Sequence, residues 1–252
     1  MRTGRRGPTG ISLADGLVVV AGAFPRELKH IRALGRFSKV SKGGIHFEQG
    51  VIRGMDVALV VSGAGDARAY SAAREAVRSL SPTAYISVGL SGGLAGGLKP
   101  GEVVLGESTG FATGKRYQAD KAVLDRVIAA VACRVGPLLA SERVIVTAAQ
   151  KRAAGAATMC MAVDMETCGA ARAASEAGVP FLAIRAISDT VDEDLPVDFN
   201  RFMKDGGMDW ARFIPFMVTH PGVLPKLLSL GRKSAAASRS LAVAFSGILS
   251  IL

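Results

Sequence analysis

One recurrence constrains this chain more than any other feature. Short apolar, strand-like runs end in glycine or an acid, and most lead into a segment with helical spacing. LVVVAGA (17–23) precedes PRELKHIRAL, VALVVSG (57–63) precedes DARAYSAAREAVRSL, and AYISVGL (84–90) precedes the glycine-rich SGGLAGGLKPG (91–101). EVVLGES (102–108) comes before ADKAVLDRVIAAVAC (119–133), and VPFLAIRAISD (179–189) follows MAVDM (161–165) and the helix ETCGAARAASEAG. ERVIVTAA (142–149) reads as a further strand, IHFEQGVIRGMDVALVVSG (45–63) as two antiparallel strands turning at Arg53-Gly54, and 203–218 as an amphipathic helix. Such alternation predicts an α/β fold, a single-domain three-layer arrangement with a central mixed sheet. In open α/β sheets ligands bind beyond the carboxyl ends of the strands, where these glycines and acids fall.

Composition narrows the class. Of 252 residues, 49% are hydrophobic and 21% charged, enough apolar surface to exclude disorder as the main state. Three cysteines (Cys133, Cys160, Cys168) and three scattered histidines have no ligand-like spacing, so neither a disulfide scaffold nor a metal site is expected. A reduced, cytoplasmic enzyme is the expectation. The net charge of +10 suggests nucleic acid at first, yet seven of the excess charges lie in residues 1–14 and 221–252. A nucleic-acid surface places its cations along one face of the body, so none is expected here. Residues 1–14 read as a flexible basic tail, 15–220 as the domain, and 221–252 as a basic and apolar helical extension. Its uncharged end, 240–252 apart from serines and a glycine, is apolar but shorter than the about 20 residues needed to span a bilayer. It reads as a helix packed on the body, or else as a peripheral membrane contact.

Taken singly, the glycine-rich pieces are turns. Together, SVGLSGGL followed by KPGEVVLG, and VDMETCGAA followed by VPFLAIRAISD, resemble the nucleoside phosphorylase and nucleosidase superfamily over about residues 17–215. VTAAQKRAA and the long C-terminal segment look like its hopanoid-associated phosphorylases. The resemblance implies a homo-oligomer, dimer or hexamer, that cleaves the N-glycosidic bond of an adenosine-type nucleoside. It implies no organic cofactor, with inorganic phosphate as co-substrate and adenosylhopane as substrate. The alternative is a hydrolytic methylthioadenosine/adenosylhomocysteine nucleosidase, and a non-catalytic nucleoside-binding protein is a third class.

Cleaving that bond requires a proton or hydrogen bond for the departing base, a grip on the sugar, and a held oxygen nucleophile. By the resemblance, Asp189 serves purine N7, its pKa raised by an apolar setting, and Ser188 orients it. Glu166 holds the ribose hydroxyls and Met165 packs on the sugar, while Asp164 points to the opposite face of its strand. Gly22 and Arg26 form half of a phosphate cradle, completed by backbone N–H groups of Gly89, Ser91, Gly92 and Gly93. Ser87 and Leu90 depart from the arginine and serine common in phosphorylases. A slip of one residue puts Glu27 in the place of Arg26 and restores a water-activating acid. Lys151 and Arg152 fall in the purine-binding segment without assigned roles.

Overall fold

A computed structural model describes residues 16–131 and 133–251. The expected N-terminal tail, residues 1–14, lies outside them. The chain runs β1 (Val18–Gly22), α1 (Pro25–Arg32), β2 (Arg36–Lys42), β3 (Ile45–Ile52), β4 (Met55–Val61), α2 (Asp66–Leu80) and β5 (Ala84–Gly93). There follow β6 (Val103–Gly110), β7 (Tyr117–Gln118), α3 (Lys121–Ala130), β8 (Arg134–Ala140), α4 (Ala148–Thr158), β9 (Ala162–Asp164), α5 (Thr167–Glu176) and β10 (Phe181–Asp189). A hairpin of β11 (Met203–Lys204) and β12 (Gly207–Met208) precedes α6 (Trp210–Thr219) and the long α7 (Leu224–Leu249).

The mixed sheet has the order β10-β6-β8-β9-β5-β1-β4-β3-β2, and β10 also pairs with β5. The five strands β5, β10, β6, β8 and β9 therefore close on themselves, and β1, β4, β3 and β2 extend from β5 as an open wing. β5 runs parallel to both β1 and β10, and these strands are almost wholly buried. That is why they read as continuous apolar runs. β2 is the opposite case. It is the exposed edge, carries Lys39 and Lys42, and has too little apolar content to be read as a strand from sequence.

Helices cover both faces. α2 and α5 pack Ala73, Ala76, Ala170, Ala171 and Ala174 on one side. These helices come close because Gly169 has no side chain: a Cβ there would stand 2.1 Å from the Asp66 carbonyl oxygen. On the other face α1, α3 and α7 bury Leu28, Ile31, Val127, Leu241, Phe245 and Ile248 against Val20, Ile86, Leu182 and Ile184. The apolar end of the chain is thus core, packed along β10 and β5. Among the described residues no single helix is long and apolar enough to cross a membrane.

Two expectations fail for identifiable reasons, and one strand goes unread. Residues 142–147, expected as strand, are a loop, because their backbone finds side chains instead of a neighbouring strand. The Val144 N–H donates to Asn200 Oδ1 at 2.8 Å, Asn200 returns a bond to the Val144 carbonyl, and the Val146 N–H donates to Gln150 Oε1. The strand in this region is β8, disguised by Pro137, which falls where the β6–β8 register shifts between Gly106 and Thr109. The helix expected over 203–218 starts only at Trp210. Before it, Asp205 and Gly206 (φ 50° and 72°) turn the β11–β12 hairpin, as Asp-Gly pairs do.

Because Phe245 is fully buried among strand residues of both halves of the sheet, Phe245→Ala should cost about 3–5 kcal/mol. A chemical denaturation midpoint within error of wild type would show that α7 is not part of the core.

Candidate active site

The candidate site lies where the carboxyl ends of β1, β5 and β10 meet the start of α5. Its geometry starts from a buried ion pair. Arg185 in β10 and Asp164 at the end of β9 are both buried, with Arg185 Nε 2.5 Å from Asp164 Oδ2. The remaining Arg185 donors reach the Ser87 hydroxyl at 2.8 Å, the Thr167 hydroxyl at 2.6 Å and the Ile184 carbonyl at 3.1 Å. Asp164 in turn accepts from the Thr167 hydroxyl and from the amides of Glu166 (3.0 Å) and Thr167 (2.9 Å). Burial works against its charge, yet Arg185 and Thr167 hold its carboxyl below the usual carboxylate range. Asp164 therefore turns inward onto the amides at the start of α5 and fixes the direction of Glu166.

Glu166 Oε1 accepts the Gly65 N–H at 2.8 Å, and Gly65 (φ 104°) adopts a backbone conformation that suits glycine at the start of α2. Burial pushes the Glu166 carboxyl up to about 8, and the charges of Asp164 and Glu27 add to the effect against Gly65 and Arg185. Met165 beside it is half-buried.

Glu27 is the residue the sequence placed least securely. Pro25 opens α1, and the Glu27 carboxylate folds back on the helix start, where Oε2 accepts the Phe24 N–H at 3.0 Å. Its Oε1 crosses to β5 and accepts the Leu90 N–H at 3.1 Å. The side chain is 7% exposed. Gly89 permits this approach: a Cβ there would lie 3.1 Å from Glu27 Oε1 and 3.5 Å from Arg185 Nη1. Arg26 goes the other way, exposed to solvent with its guanidinium 4.9 Å from the centre of the Phe24 ring.

The expected phosphate cradle is accordingly not assembled. Arg26 is turned outward, and Gly22 packs against Leu28, with a Cβ there 3.2 Å from Leu28 Cγ. Gly89 to Gly93 are strand rather than loop, paired with β10 and, at Gly92 and Gly93, with β9. The amide of Leu90 is already taken by Glu27. Ser91 is buried, and its carbonyl lies 3.2 Å from the Ser188 hydroxyl oxygen.

Asp189 ends β10. Ser188 donates to its Oδ1 at 2.6 Å, and a Cβ on Gly92 would stand 3.3 Å from its Oδ2. Its setting is not apolar as expected, because the fully buried Lys151 ammonium forms an ion pair with Oδ2. Lys151 also donates to the carbonyls of Thr190 (3.1 Å) and Glu193 (2.7 Å). Arg152 points outward to Asp192. The structure thus brings Glu166, Asp189, Ser188 and Gly89 to one strand end, adds Glu27, Arg185 and Lys151, and leaves out Arg26. For Arg185 a sequence signal existed: a lone cation inside the apolar run FLAIRAISD needs a buried partner, and the acid of VDMET is one. Lys151 had none, since its partner lies 38 positions away. Among the described residues no group of three or more His, Cys, Asp and Glu is placed to hold a metal ion.

A family model described as the Phosphorylase superfamily matches residues 17–214. A 5′-methylthioadenosine/S-adenosylhomocysteine nucleosidase of Shewanella sp. (strain MR-7) is 26% identical over 223 residues, 79% of this chain and 94% of its own. A nucleosidase of that description from Neisseria meningitidis, solved with methylthio-immucillin-A, superposes with TM-score 0.72 at 22% identity over 94% of this chain and 99% of its own. The native futalosine hydrolase of Helicobacter pylori strain 26695 does so with TM-score 0.74 at 14% identity over 94% and 98%.

The raised Glu166 pKa has a stability consequence of definite sign. The folded protein holds this proton more tightly than the unfolded chain, so stability falls as pH rises from the ordinary glutamate range through about 8. Glu166→Gln retains an acceptor for Gly65 and removes the penalty. Its melting temperature should therefore exceed that of wild type by a few degrees at about pH 9 and converge with it near about pH 5. Parallel curves across that range would place the Glu166 pKa near its ordinary value.

Proposed function

The chain belongs to the phosphorylase superfamily, and we propose that it hydrolyses the N-glycosidic bond of a 5′-substituted adenosine, releasing adenine. The observation that carries this reading is the inward turn of Glu27, whose carboxyl group accepts the Phe24 and Leu90 amides while Arg26 stays exposed. In the proposed reaction Glu27 takes a proton from a water whose oxygen attacks C1′, the C1′–N9 bond breaks, and N7 receives a proton through Asp189. Glu166 holds the ribose hydroxyls, and Ser188 keeps the Asp189 carboxyl in plane with the base. Held by two backbone amides, Glu27 has little freedom to leave the attacking position.

The names of the relatives favour 5′-thio substituents, as in methylthioadenosine and adenosylhomocysteine. The fold alone does not choose the substituent, since a futalosine hydrolase shares it. Phosphorolysis, with adenosylhopane as substrate, is the reading that Arg26 was to anchor, and an exposed Arg26 gives it little support.

Adenine release should proceed in phosphate-free buffer, and Glu27→Gln and Asp189→Asn should each lower kcat by about 10²–10⁴-fold. Release that requires phosphate and survives Glu27→Gln would overturn hydrolysis in favour of phosphorolysis.

A lipid contact is proposed at a different place from the buried chain end. Trp210, Ile214 and Val218 recur four apart on α6 with large exposed surfaces, followed by exposed Leu224 and Leu228 on α7. Residues 210–252 contain no Asp or Glu, and Arg212, Lys226 and Arg232 are exposed along them, which suits an anionic surface. Trp210 is the only tryptophan, so its emission should shift to the blue with vesicles containing phosphatidylglycerol and not with neutral ones. Emission that ignores both vesicles, or that shifts with protein concentration alone as copies associate, would remove this contact.

A further inference from the structure

Lys151 is fully buried, as Arg185, Asp164 and Thr167 are, but the hydrolytic reading above gives it nothing to do. It projects from α4, whose start is capped by Thr147, into a position that is 0% exposed. An ammonium carries three protons, and here each has an acceptor: the Asp189 carboxylate, the Thr190 carbonyl and the Glu193 carbonyl. Such full satisfaction is what retains a charged lysine in a protein interior. Of the three acceptors only Asp189 can itself take up and pass on a proton.

Other charges around the pair are already engaged. The Glu193 carboxylate faces Lys233 of α7, Asp194 accepts the Ala148 amide, and Arg152 pairs with Asp192 on the surface. On the far side Ser188 donates to Asp189, and Gly92 sets no side chain against its Oδ2. The Lys151–Asp189 pair is therefore an isolated two-group unit holding one transferable proton, with Asp189 at its open end.

We propose that Lys151 is the store of the proton that leaves with the base, and that Asp189 relays it. This rests on the proposed cleavage of an adenine nucleoside. As the C1′–N9 bond breaks, its electron pair passes into the purine and N7 takes a proton from the Asp189 carboxyl. That proton comes to the Asp189 carboxylate from the Lys151 ammonium, so passing it on restores the carboxylate and leaves on Lys151 a neutral amine with two donors for the Thr190 and Glu193 carbonyls. The proton that Glu27 removes from water returns through solvent to Lys151 when products leave, so the cycle closes with no other reactant. Lys151 thus acts through Asp189 as a positioning and proton-storing residue. A bare carboxyl would have to draw that proton from bulk water, whereas here a donor already stands within hydrogen-bond reach of Asp189.

The test is the pH profile of kcat for adenine release by the full-length protein, with wild type, Lys151→Met and Lys151→Arg side by side. Glu166 titrates in all three proteins, so each variant is read as its ratio to wild type at the same pH. Lys151→Met should fall steeply as pH rises out of the carboxylic-acid range, losing about 10²-fold at neutral pH and recovering in acid. Lys151→Arg keeps the charge and should keep the melting temperature, yet should lose at least about 10²-fold at every pH, because a guanidinium does not release its proton. Should the methionine variant fail to fold, the arginine variant decides alone. Rescue by arginine to at least half the wild-type rate, or a methionine profile superimposable on wild type, would overturn the relay and leave the hydrolytic reading intact. A wild type that releases no adenine would overturn both.

Discussion

The buried contact between Arg185 and Asp164 is the interaction on which the rest of the site depends. It joins the middle of β10 to the end of β9, and through Ser87 and Thr167 it also fixes β5 and the first turn of α5. A charge pair in this setting contributes less to stability than its Coulomb energy suggests, because both ions have left water. Removing one partner is another matter: it strands a buried charge, at a cost of about 3–5 kcal/mol. The pair is better understood as a device of registry. With Asp164 spent on the helix start, the chain can place Glu166 only toward the cleft.

The same pair explains how several carboxylates share a small space. Glu27, Asp164 and Glu166 all sense one another or Arg185, and a single buried guanidinium does not neutralise three acids. The structure distributes the burden unequally. Asp164 receives the cation, Glu27 receives two backbone amides, and Glu166 receives one amide and a raised pKa. Asp189 is served separately by Lys151 and Ser188. Acids in different electrostatic states at one strand end are what an acid–base reaction needs, since one group must accept a proton while another gives one.

Much of this was legible in the chain. Buried strands such as β1, β5 and β10 announce themselves, because burial on both faces demands an unbroken apolar run. The strand ends carrying Glu166 and Asp189 followed directly. Elements whose character comes from neighbours were not legible. β2 is polar because it is an edge, β8 contains Pro137 because a bulge accommodates it, and 142–147 has strand-like residues but no strand beside it. Each of these depends on a partner far away in sequence, which local periodicity does not report.

The sequence by itself determined the alternating architecture, the family, and the positions of Glu166 and Asp189, since all of these are encoded in contiguous patterns of burial and turn. Only the tertiary structure decided which of Arg26 and Glu27 faces the site, that the glycine-rich stretch begins as strand through Gly93, and that Lys151 and Arg185 hold Asp189 and Asp164. A one-residue difference in register reverses the direction of a side chain at a helix start. An ion pair spanning 21 or 38 positions exists only once the chain has closed. Side-chain direction and long-range charge pairing are properties of the folded molecule, and in this protein they turn Glu27 inward and Arg26 outward.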